Sequence, residues 1–86
     1  MSLANRIERE CRAVGLTLWS AWDKIARHAR TGGRGVKVHL FARDGYAARM
    51  YRFGDEVPDH IAYAILFSVL EEMVKNDYYR FELEPF

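Results

Sequence analysis

The spacing of apolar residues changes at one glycine-rich joint, Thr31-Gly32-Gly33-Arg34-Gly35, and that change limits the folds open to the chain. Before it, Ile7, Cys11, Val14, Leu18, Trp22, Ile25 and Ala29 recur at steps of three and four, the period of one helix face. After it, Val36, Val38, Leu40 and Ala42 alternate with Lys37, His39, Phe41 and Arg43, the period of a half-buried strand. A long first helix is therefore expected over residues 3–30, with Ser2 as its N-cap. Arg27, His28 and Arg30 complement the negative C-terminal end, and Gly32 suits the left-handed position that closes a helix. Gly15 costs about 1 kcal/mol relative to alanine inside a helix. The stripe stays in phase across it, so one helix is expected, with Gly15 marking a bend or a close helix contact.

Residues 36–53 read as a β-hairpin turning at Asp44-Gly45. A two-residue loop would set Arg49 opposite Leu40 on the apolar face and Lys37 against Arg52. A three-residue loop, Arg43-Asp44-Gly45, puts Ala48 and Met50 on that face and pairs Lys37 with Tyr51. The second register is expected because it buries no lone arginine.

Gly54-Asp55-Glu56-Val57-Pro58 is turn-rich, and a second helix is expected from Pro58-Asp59 to about Asn76, with proline in its first turn. Ile61, Ala62, Ile65, Leu66, Val69, Leu70 and Met73 form a broad apolar face, which Tyr63 and Phe67 widen. Only Ser68, Glu71, Glu72 and Lys75 make a polar stripe, so this helix should be covered on most sides. A last strand spans 78–84, with Tyr79, Phe81 and Leu83 alternating with Arg80, Glu82 and Glu84; Pro85 suggests a sheet edge. The order α-β-β-α-β predicts an α+β two-layer sandwich, a three-stranded sheet with two helices over one face. The third strand either joins the first antiparallel or follows a right-handed crossover beside the second.

At 86 residues the chain is one domain. Its 14% aromatic content can build a core, yet so short a chain leaves some large side chains exposed or covered by a partner. The single cysteine, Cys11, excludes an intrachain disulfide and fits a reducing compartment. Arg6, Glu8, Arg9 and Glu10 interrupt any signal-peptide pattern, and the apolar run 61–67 is too short to span a bilayer. A cytoplasmic protein without membrane contact is expected, and an intracellular phage or mobile-element product would look the same.

The net charge of +1 conceals a split: residues 1–52 carry +7 and residues 53–86 carry −6. Ten of the 13 basic residues are arginine, suited to multidentate contacts with carboxylate or phosphate. If the two halves pack together, their fields partly cancel.

Residue by residue, the catalytic readings give way to duller ones. His28, His39 and His60 lie on separate elements without metal-ligand spacing, and Cys11 sits in an apolar stripe where a structural thiol is the default. Ser20 and Ser68 lack a glycine-flanked nucleophile elbow. Asp55, Glu56 and Asp59 lack the ligand count of a calcium loop and read as helix-start acidity. The glycine joint follows a helix and precedes a strand, the wrong polarity for a phosphate loop. No catalytic residue, metal or cofactor is expected.

What remains is binding. Arg27, Arg30, Arg34 and Lys37 surround the joint, near Phe41 and Tyr46, and could hold phosphates and stack a base. No nucleic-acid-binding motif accompanies them. Trp19, one residue off the helix stripe, is either core padding or a binding anchor. The first expectation is a non-enzymatic protein-interaction module: an inhibitor, adaptor or accessory subunit. Its contacts would come from Trp19, Arg27, Arg30, Arg34, Lys37, Arg49 and Arg52, and secondarily from Glu71, Glu72 and the strand residue Tyr79. The alternative is a nucleic-acid binder using the Arg27, Arg30, Arg34 and Lys37 cluster. The charge split also permits self-association.

Overall fold

The computed structural model describes residues 18–86, so the expected helical stretch 3–17, with Ser2 and Cys11, lies outside the described residues. The elements run α1 (Leu18–Arg30), β1 (Gly35–Phe41), β2 (Tyr46–Arg52), α2 (Pro58–Asn76) and β3 (Arg80–Pro85). The strands form one antiparallel sheet in the order β2-β1-β3, so the third strand takes the first of its two expected places. The two helices pack against each other over one sheet face, and the fold is the expected α+β two-layer sandwich.

Alternation along β1 aims Val36, Val38 and Leu40 into the helix layer, where they are buried. Phe81 of β3 joins them from one side. From above come Ala21, Ile25 and Ala26 of α1 and all seven residues expected of the α2 face, Ile61, Ala62, Ile65, Leu66, Val69, Leu70 and Met73. Burying each large side chain is worth roughly 1.5–3 kcal/mol.

The helices end alike. At α1, the Gly32 N–H donates to Ala29 O and the Gly33 N–H to His28 O, with Gly32 at φ 86°. At α2, Asp77 takes the left-handed position at φ 56° while the Tyr78 N–H donates to Met73 O. The joint after α1 has structural uses for its glycines. A Cβ on Gly35 would lie 2.4 Å from the Tyr51 carbonyl oxygen, so β2 could not approach so closely.

The hairpin register differs from both expected ones. Phe41 lies opposite Tyr46, and the loop is the four residues Ala42 to Gly45, closed by Ala42 N–H donating to Gly45 O at 2.9 Å. Lys37 therefore faces Met50, not Tyr51, and Val38 faces Arg49. The row facing the helices is Ala47, Arg49 and Tyr51, while Met50 points to the open side and is 57% exposed. The arginine penalty assumed beforehand does not arise. β2 is an edge strand, so the Arg49 guanidinium reaches past the core and donates to Glu72 of α2 at 2.7–2.9 Å.

A second difference concerns α2, which is not covered on most sides. Tyr63 and Phe67 are 55% and 52% exposed, although the Tyr63 ring meets Trp22 of α1 at 5.7 Å. The last strand also starts two residues later than expected, with Tyr79 exposed before it.

Both helix ends that use a non-ideal residue predict gains. Val57 precedes α2 with no side-chain cap and is exposed, so Val57→Ser should stabilise the domain by about 1 kcal/mol. Asp77→Gly should do so by a similar amount, about 1 kcal/mol, by relieving the left-handed backbone. Urea midpoints read both; a fall in either midpoint would contradict the cap assignment.

Candidate protein interface

No described helix lies over the other face of the sheet, and the side chains there follow from the register. Across the three strands lie Tyr46, Phe41 and Arg80; then Ala48, His39 and Glu82; then Met50, Lys37 and Glu84, with Arg52 at the end of β2. The first row is tied together. The Tyr46 and Phe41 rings are 5.4 Å apart, and the Arg80 guanidinium sits 4.0 Å over Phe41. His39 links the rows, with Nδ1 hydrogen-bonded to the Tyr46 hydroxyl and Nε2 2.9 Å from the Glu84 carboxylate. Met50 and Tyr46 are the large apolar side chains that stay mostly exposed here. The face is bipolar, with Lys37 and Arg52 on one side and Glu82 and Glu84 on the other.

The basic residues around the glycine joint do not form one patch. Arg27 pairs with Asp23 at 2.9 Å on the helix layer. Arg30 pairs with Asp59 at 2.5 Å, with its guanidinium 5.9 Å from the Trp22 ring. Lys37 lies on the opposite side of the domain, on the open sheet face. Arg34 is exposed in the joint between them, its backbone N–H held by Phe86 O. Arg52 lies 5.9 Å from the Phe86 ring. Arg49 is engaged by Glu72, as described above, and Arg80 by Glu82 at 2.7 Å. No ion pair joins Arg34, Lys37 or Arg52 to a described carboxylate.

Trp19 is 66% exposed on α1, so among the described residues it is not core padding. Glu71 is exposed on α2, and Glu72 lies beside Tyr51, whose phenol is pushed up by burial and then by that carboxylate. Tyr51, Ser68, Glu71, Glu72, Lys75 and Asn76 line a shallow, open depression. Tyr79 is exposed at the other end of the sheet. The expected residues therefore do not form one surface.

Among the described residues, no group of three or more histidines, cysteines or carboxylates could hold a metal ion. No described helix is long and apolar enough to cross a membrane. No known protein family matches the chain, and neither does any curated protein or solved structure. The chemistry of its surfaces is thus the only guide to what the chain binds.

Sequence reasoning named Phe41, Tyr46, Lys37 and Arg52 but missed Met50, because the register placed it in the core. It also missed the exposure of Tyr63 and Phe67. A hint was available for Met50: two polar positions of opposite parity, Arg49 and Arg52, permit either phase of alternation in β2. The register carries a direct check. Met50→Glu should change stability by less than about 0.5 kcal/mol, as for an exposed site. Arg49→Glu, facing Glu72, should cost about 1 kcal/mol and be largely restored by adding Glu72→Lys. Chemical denaturation of the three variants measures this; a large loss in Met50→Glu would reverse the assignment.

Proposed function

We propose that this chain is a protein-interaction module that binds a partner surface of mixed apolar and acidic character through the open face of its sheet. The observation that carries the reading is the pair of exposed side chains Tyr46 and Met50 along edge strand β2, with Lys37 opposite Met50 and Arg52 two residues beyond it. Aromatic side chains, methionine and arginine are enriched at protein interfaces relative to the rest of a surface. The cations orient the partner and speed its encounter, while desolvated Tyr46 and Met50 supply contact area. Glu82 and Glu84 disfavour a uniformly anionic partner in that half of the face. The role of inhibitor, adaptor or accessory subunit is part of this proposal, as is a cytoplasmic setting.

Nucleic-acid binding by the Arg27, Arg30, Arg34 and Lys37 cluster has less in its favour. Local carboxylates engage Arg27 and Arg30, and Arg80 occupies one side of the Phe41 ring that a base would stack on. Carboxylates on the same face raise the cost of bringing phosphates near.

A photo-crosslinking residue at Met50, compared with one at Ala64 on the helix layer, tests the reading in the native cell. The expected result is one nuclease-resistant protein adduct from position 50 that is lost in the Lys37→Glu, Arg52→Glu double variant. An adduct that disappears with nuclease would overturn it. So would tight, steeply salt-dependent binding of the pure protein to generic RNA or DNA.

A further inference from the structure

The two edges of the sheet are finished differently. Along β3, the bonds that Gly35 and Phe86 exchange set the alternation. Arg80, Glu82 and Glu84 turn their backbone groups in to β1, while Phe81, Leu83 and Pro85 turn theirs outward. That outer row is blunted. Pro85 has no N–H to offer, and Leu83 O accepts from Lys24 Nζ of α1 at 3.4 Å. Along β2, the bonds from Ala42 N–H to Gly45 O and from Phe53 N–H to Arg34 O set the alternation in the same way. Ala47, Arg49 and Tyr51 bond to β1, and Tyr46, Ala48, Met50 and Arg52 present their N–H and C=O groups outward. No proline interrupts this row. Among the described residues, the donor that reaches it is the Arg49 guanidinium, 3.1 Å from Ala48 O, which leaves that oxygen a second lone pair.

Unpaired edge groups are a template for another strand, and the side chains of β2 match a second copy of itself. Antiparallel pairing about Ala48 sets Tyr46 opposite the partner's Met50 and Met50 opposite the partner's Tyr46, an aromatic–thioether contact made twice. These are the large apolar side chains that β2 leaves exposed. Ala48, which is small, meets its own equivalent at the axis. Arg52 falls opposite the partner's Asp44, an exposed turn residue of opposite charge, and the reciprocal pair forms at the other end. On the helix side, Arg49 and Tyr51 fall opposite the partner's Ala47 and Gly45, so large residues meet small ones. The open depression between Tyr51 and the polar stripe of α2 gives space there. Centring the pair on Arg49 instead would set two Arg49 side chains against each other, a like-charge contact.

We propose that the chain forms a two-fold dimer through β2, paired antiparallel about Ala48, which joins the two three-stranded sheets into one. The outward N–H and C=O groups of Tyr46, Ala48 and Met50 bond across the axis, and Arg52 and Asp44 close each end. This pairing goes beyond the partner-binding reading and does not depend on it. It lays the open faces of both copies side by side on one continuous sheet.

Sedimentation of the full chain from micromolar to millimolar concentration, with amide hydrogen exchange followed by NMR, tests the pairing. The expected result is a monomer–dimer equilibrium. The Ala48 and Met50 amides should slow roughly tenfold as the dimer fills, while those of Ala47 and Arg49 stay protected throughout. Arg52→Asp and Asp44→Arg each replace two attractive contacts by repulsive ones and should weaken the dimer roughly tenfold. Combining the two substitutions should recover most of the lost affinity. Positions 44 and 52 lie at opposite ends of β2, roughly 20 Å or more apart within one chain, so that recovery can arise only between copies. A protein that stays monomeric at millimolar concentration would overturn the proposal. So would a dimer in which the Ala48 and Met50 amides exchange as fast as in the monomer, or one that the combined variant leaves as weak as the single ones.

Discussion

Val36, Val38 and Leu40 stand on the one strand that bonds on both sides, and their burial beneath two helices organises the rest of the domain. β1 pairs with β2 along one edge and β3 along the other, which leaves it no free backbone edge. Its side chains can then face only up or down. The upper set fixes where Ile25, Ile61, Ile65, Val69 and Phe81 must converge. The lower set, Lys37, His39 and Phe41, has no second layer among the described residues, because both described helices lie on the upper face. The surface proposed for partner binding is the reverse side of the core.

Charge is handled locally. The sequence divides into a basic first half and an acidic second half, a pattern that could produce two poles. The fold instead brings the halves into register: Arg30 meets Asp59, Arg49 meets Glu72, and His39 meets Glu84. Exposed pairs of this kind add little stability, roughly 0–1 kcal/mol each. Their larger effect is on recognition, because an arginine held by a neighbouring carboxylate attracts a polyanion less strongly. Among the described cations outside such pairs, Lys37 and Arg52 lie near Met50 on the open face, with Arg34 in the joint nearby. This arrangement favours a partner of mixed character over a phosphate backbone.

The two helices do unequal work. α2 contributes seven buried residues over 19 positions, whereas the described part of α1 contributes Ala21, Ile25 and Ala26. Small side chains on α1 let it lie close, but they leave the broad α2 face uncovered along the Tyr63–Phe67 flank. The uncovered aromatics on the helix side and the mixed face on the sheet side are different kinds of surface. One is aromatic, carrying Trp19, Tyr63 and Phe67. The other is bipolar and suited to an outside partner.

Periodicity alone determined the element types, their order and the buried face of α2, because each depends on contacts within one turn or one pleat. It also placed Pro58 in the first helical turn and Gly32 at a left-handed helix end, both set by backbone sterics. Tertiary structure alone decided the hairpin register, since Arg49 is acceptable toward the helices only when Glu72 waits at a sheet edge. It decided the position of β3, because either topology buries Phe81 and Leu83. It also separated Arg27 and Arg30 from Lys37 by the thickness of the domain, although only six residues lie between Arg30 and Lys37. A strand that alternates faces and a helix that lies on one side make sequence neighbours into strangers, and no local rule can foresee that.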